Sequence, residues 1–154
     1  MSSHIATEAQ ERTVRSFTVY GTPVGKGRAR FRSTGKFVQA YTPEKTAAYE
    51  TLVKLAYQQE HGGEPLLTGA LHMELLAYFP IPKSTSKKDR ALMILGKNWH
   101  IKKPDSSNVL KAVEDALNGV AYADDSAISS LTVMKKYSDT PRVEIMISEL
   151  DCNI

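Results

Sequence analysis

A chain of 154 residues with 42% hydrophobic and 24% charged residues has the size and composition of one ordinary globular domain, long enough to bury a core. Its net charge of +3 is too small to identify an acidic partner. The one cysteine, Cys152, excludes an internal disulfide or a thiolate metal cage and agrees with a reducing cytoplasm. No apolar run approaches a bilayer span, so a cytoplasmic protein without membrane contact is expected.

Residues 1–12 are polar, carry no signal-peptide core and offer little to bury, so they read as a disordered arm before a single domain over 13–150. From Arg15 the pattern alternates, with Phe17 and Val19 on one face of a half-buried strand. Gly21, Pro23, Gly25 and Gly27 break it. Residues 28–41 predict a hairpin turning at Ser33-Thr34-Gly35. Thr42-Pro43 opens a helix whose apolar stripe is Ala48, Leu52, Leu55 and Ala56, ending near His61-Gly62-Gly63.

Leu71, Met73, Leu75, Ala77 and Phe79 alternate through a second core strand. A short basic helix follows over 87–95, then a connecting loop over 97–107 and an amphipathic helix from Asn108 to Asn118. Strands around 131–137 and 143–147, turning at Asp139-Thr140-Pro141, predict a closing antiparallel hairpin. The fold class is therefore α/β in the α+β sense: a mixed sheet with antiparallel hairpins, packed against two or three helices.

The chemistry concentrates between Lys102 and Asp125. On the helix, Val109, Val113, Ala116 and Val120, with Leu110 and Leu117 beside them, lie at core spacing, while Asn108, Lys111, Asp115 and Asn118 line up on the opposite face. Such a ridge is either a solvated surface or a functional one. Asp105 precedes the helix, where it or Ser106 or Ser107 could simply cap it. Asp124-Asp125 follows the helix, where an acidic pair often forms an ordinary turn. A helix of eleven residues is about 16 Å long, so the acids at its two ends meet only if the later loop folds back. Carboxylates without clustered cysteine or histidine suit a hard cation such as magnesium rather than zinc; His4, His61, His72 and His100 are scattered.

Lys103-Pro104-Asp105, Asn108, Lys111, Asp115-Ala116-Leu117-Asn118-Gly119 and Asp124-Asp125 resemble the signature of the RusA-type Holliday-junction resolvases. Looser likeness extends through Pro23, Lys26-Gly27-Arg28, Arg30-Phe31 and Tyr41-Thr42-Pro43 to the final strands. The resemblance implies a small mixed α/β domain, acting as a homodimer that nicks four-way DNA junctions with magnesium. It makes Asp105, Lys111 and Asp125 the expected catalytic residues. Asp105 and Asp125 would hold the metal, with Asp124 or Ser107 completing its shell. The family has a second aspartate where this chain has Ser107, so a protein that binds junctions without cutting is the alternative.

Charge distribution agrees with a nucleic-acid partner. Lys26, Arg28, Arg30 and Arg32 precede the acidic segment, as do Lys87, Lys88, Lys102 and Lys103, and these are the expected DNA contacts. Asp115, four residues beyond Lys111, would orient that lysine.

Overall fold

The computed structural model describes residues 12–27, 30–35, 37–41 and 43–151. Six strands and three helices run in the order β1 (Val14–Tyr20), β2 (Arg30–Thr34), β3 (Phe37–Tyr41), α1 (Glu44–His61), β4 (Leu71–Pro80), α2 (Lys87–Ile94), α3 (Ser106–Leu117), β5 (Ile128–Ser138) and β6 (Arg142–Glu149). This is the expected α+β class. Residues 1–11 and Cys152 lie outside the described part; Arg12, assigned to the arm, forms an ion pair with Asp151 at 3.0 Å.

The main sheet has the order β1-β6-β4-β5, and β2 with β3 forms a separate antiparallel hairpin. Alternation does what the sequence predicts in β1, where Phe17 and Val19 are buried, and in β4, where every odd residue from Leu71 to Phe79 is. The predicted hairpin of the last two strands is overturned. β4 lies between them, pairing antiparallel with β6 and parallel with β5. The turn after Ser138 need only cross one intervening strand, about 10 Å, which three extended residues can do. β4 carries the longest unbroken apolar alternation, so the centre of the sheet buries it best.

The stripe expected on α1 is also corrected. Leu52 and Leu55 face outward, and Thr46, Tyr49, Val53 and Tyr57 face the core, with Ala56 partly buried beside them. The two spacings differ by one residue, and burying two tyrosines decides for the second, because each removes more apolar area than an alanine. The Tyr57 hydroxyl accepts a hydrogen bond of 2.8 Å from the buried Arg15 guanidinium.

Helix α3 begins two residues before the expected start and buries Val109, Ala112, Val113, Ala116 and Leu117. It packs beside α1 on one face of the sheet. The parallel step from β4 to β5 needs a long crossover, and α2 and α3 lie within it. That crossover sets the candidate site at the outer edge of α3. No helix among the described residues is long and apolar enough to cross a membrane.

Candidate active site

The loop after α3 does fold back. Tyr122 is buried and its hydroxyl donates to the Glu114 carbonyl at 3.0 Å, drawing the following residues along the helix. Asp124 and Asp125 thereby arrive beside the middle of α3. The Lys111 ammonium lies 3.1 Å from Asp115 Oδ1 and 3.4 Å from Asp125 Oδ2. Asp115, and after it Asp125, hold the Lys111 pKa above the ordinary lysine value.

The chain of charges continues inward. Asp115 Oδ2 is 3.1 Å from the Lys26 ammonium, which also reaches Glu50 of α1 at 2.6 Å. Burial disfavours a charged Lys26, but its hydrogen bonds to Glu50 and Asp115 outweigh that, and its pKa is raised. Lys26, expected to grip DNA, thus spends its charge on two carboxylates of its own chain. Glu114 adds a further acid to the group. Its pKa is raised by partial burial and then by the negative charge of Asp125.

Glycines account for the approach of Lys26. A Cβ on Gly25 would stand 2.5 Å from Pro104 Cβ, so only glycine lets this segment lie against the start of α3. The Lys26 amide then donates to the Asn108 carbonyl at 2.8 Å. Next to it, the Gly27 amide donates to Thr46 Oγ1 at 3.0 Å, tying the same segment to α1.

Asp105 occupies the N-cap position of α3 but makes no side-chain capping bond, so its carboxylate is not consumed by the helix end. It lines a cleft of about 750 Å³ together with Lys26, Lys45, Lys103 and Asn108. Lys135 of β5 fixes the residues before it, donating to the Lys102 carbonyl at 2.7 Å and the Pro104 carbonyl at 2.9 Å. Ser107 is exposed in the first turn of α3. Asp124 serves its own turn, accepting from the Ser126 amide at 3.1 Å, and hydrogen bonds from Ser126 hold its pKa below the usual carboxylate value.

Lys111, Asp115 and Asp125 are therefore brought together by ion pairs, and Asp105 lines the cleft at the start of the helix. Among the described residues, no three His, Cys, Asp or Glu side chains converge in a group that could hold a metal ion. The donors are nonetheless hard oxygens, as a divalent cation of the magnesium type requires. Such an ion commonly takes one or two protein carboxylates and fills its remaining positions with water and phosphate oxygens. The charge crowding felt by Glu114 is what a bound cation would relieve.

Among the expected DNA contacts, Lys87 and Lys88 are exposed on the first turn of α2, and Lys102 and Lys103 are exposed just before Asp105. Arg28 lies outside the described residues, as do the side chains of Arg30 and Arg32 on β2. Glu50, Glu114 and Lys135 escaped the sequence reading. Glu114 carried a local signal, three residues after Lys111; Glu50 and Lys135 come from distant elements and carried none.

Comparison with known proteins gives the family of the chain. An uncharacterised protein of Bacillus subtilis, YqaN, is 41% identical over 136 residues, covering 87% of this chain and 95% of that protein. The family model of the endodeoxyribonuclease RusA matches residues 20–148, which include all of α3 and the acids at both its ends. The chain belongs to the RusA endodeoxyribonuclease family.

Proposed function

We propose that this chain is a magnesium-dependent endodeoxyribonuclease that cuts four-way DNA junctions as a homodimer, in recombination or repair in the cytoplasm. The observation that carries the reading is the ion pair between Lys111 and Asp125. It joins the middle of the helix to the acidic turn beyond it, within the stretch that the family model matches.

Asp125 and Asp105 would hold the ion, with Asp124 or Ser107 as further oxygen donors. A bound divalent ion lowers the pKa of water and polarises a phosphoryl oxygen. Lys111 supplies a positive charge next to the reacting phosphate and stabilises the negative charge that develops there. Asp115, itself held by Lys26, keeps that ammonium in place. Lys102 and Lys103 lie where they can take phosphates of the arm that enters the cleft.

A second reading is a junction-binding protein that does not cut. Ser107 in place of an acid supports it, as does the lack of three converging acids among the described residues. One experiment separates the two. A synthetic four-way junction is incubated with the protein and magnesium, with and without a chelator. Paired nicks that vanish with the chelator support the nuclease; tight binding without nicks supports the second reading.

A further inference from the structure

The candidate nuclease centre uses the acids and Lys111, but leaves unexplained an apolar outcrop on the loop leading into it. Between α2 and α3, Leu95, Trp99 and Ile101 are 68%, 50% and 87% exposed. Single exposed apolar residues are common on any surface. Here three fall within seven residues, and Trp99 and Ile101 line one cleft of about 760 Å³ with Met93, Lys97 and Lys102.

This loop is anchored. Between the two outward residues, the His100 ring is buried and stacks on Phe79 at 3.8 Å, with Tyr137 edge-on at 5.2 Å. The His100 amide donates to the Lys135 carbonyl at 3.3 Å, and the Lys135 ammonium holds the backbone at Lys102 and Pro104. Trp99 and Ile101 are thus held outward on either side of a fixed residue, a few positions before Asp105.

Their surroundings select the occupant. The Lys136 ammonium lies 4.5 Å from the centroid of the Trp99 ring, and Lys97 and Lys102 line the cleft, against one acid, Asp89. A two-fold contact between copies of this chain would set these lysines against one another. A nucleic-acid strand would place a base on the apolar side chains and its phosphates among the lysines. We propose that Trp99 and Ile101 form a stacking platform for an unpaired base at the branch point of the DNA, next to the cutting centre. This inference rests on the endodeoxyribonuclease reading.

Trp99 is the only tryptophan of the chain, so intrinsic fluorescence reports on it alone. The full-length protein is titrated, in chelator to prevent cutting, with a four-way junction, a single-stranded oligo-dT and a duplex of equal length. Tryptophan emission is followed together with the anisotropy of a dye on the DNA. Quenching by the junction and by oligo-dT is expected, with little change from the duplex. Trp99→Ala and Ile101→Ala should each weaken junction binding about tenfold, Trp99→Phe should restore most of it, and duplex affinity and melting temperature should hold. Junction binding with unchanged emission, or alanine variants that bind as the parent does, overturns the platform and leaves the nuclease reading standing. Emission that changes with protein concentration alone, together with monomeric alanine variants, makes this face a subunit contact and also overturns it. An anisotropy that never rises at low salt removes the endodeoxyribonuclease reading and the platform together.

Discussion

Asp105 at the start of α3 and Asp125, brought beside its middle by the later turn, are prepared in opposite ways. In the middle, Asp125 closes a chain of ion pairs running through Lys111, Asp115 and Lys26 to Glu50. At the start, Asp105 makes no capping bond and lines a cleft, behind backbone fixed by the contacts of Lys135 and the close approach of Gly25. The ion-pair chain is itself graded. Lys111 is half exposed, so its pairs are worth about 0–1 kcal/mol and are readily exchanged for a cation or a phosphate. Lys26 is partly buried between Glu50 and Asp115 and is costlier to disturb. One acid is thus held by an exchangeable partner over a fixed base, and the other makes no bond to the helix end it caps.

The largest expected effect breaks the comparison at both ends. Asp125→Asn and Asp105→Asn should each lower junction cutting by on the order of 10²-fold or more, with binding unchanged or tighter because negative charge is removed near phosphates. Lys111→Ala should lower turnover far more than binding, since its contact strengthens as charge develops. Single-turnover cleavage with saturating protein, beside anisotropy, measures both quantities. If Asp105→Asn cuts at the parental rate, the centre is confined to the middle of α3.

Next in size is Lys26. An internal tether and a DNA contact differ in what its loss does. Lys26→Met leaves Glu50 without its cation and Asp115 with Lys111 alone, at a cost of about 1–3 kcal/mol of stability, and should also slow cutting by loosening Lys111. The salt dependence of DNA binding should keep its slope. A phosphate contact would instead lower that slope by about one and spare the melting temperature. Thermal melts and a salt titration of binding decide between them.

How much of this was legible in the sequence follows from how local each signal is. The strand β4 and the buried stripe of α3 are written in residues a few positions apart. β4 formed as the spacing predicts, and α3 buries Val109, Val113, Ala116 and Leu117 but adds Ala112, ends before Val120 and leaves Leu110 and Val120 only partly buried. The order of strands is not local. Nothing in Asp139-Thr140-Pro141 distinguishes a hairpin turn from a step across β4, and the proximity of β5 and β6 in sequence misled. In the site, the pair of Lys111 with Asp115 is a helix-spacing signal and was readable. That Lys26 would join them depends on Gly25 fitting against Pro104 across the fold. Its basic character alone pointed to DNA.

A smaller effect is expected at Ser107, on the Asp105 side of the comparison. Ser107→Asp puts a carboxylate one residue inside the helix from Asp105's neighbour Ser106, in the first turn, where negative charge is tolerated. If this position faces the metal, the magnesium needed for half-maximal cutting should fall several-fold, because a carboxylate is the stronger ligand for a hard cation. A protein that only binds junctions would begin to cut them. An unchanged magnesium titration, with the variant folded, takes Ser107 out of the shell and leaves Asp124 as the remaining donor.

The smallest effect concerns the anchor that holds the loop before Asp105. Burial, and then the charges of Lys135 and Lys102, lower the His100 pKa from 6.5 to about 4. Its Nδ1 has no hydrogen-bond partner among the described residues. The fold therefore favours the neutral ring, whereas the unfolded chain takes up a proton near pH 6.5. The resulting stability is complete above that pH and is lost as the pH falls toward 4. Glu149, whose pKa is lowered from 4.5, also loses stabilisation in the lower part of this window, and Glu114, whose pKa is raised, gains it as the pH falls. The contribution of His100 is therefore the difference between parent and variant. The melting temperature should fall by a few degrees between pH 6.5 and 4. His100→Phe, which keeps a ring against Phe79 and Tyr137 and removes the proton site, should flatten the curve across that interval. A variant that still loses stability with the parental slope there would show that His100 does not carry the acid sensitivity of this end of the site.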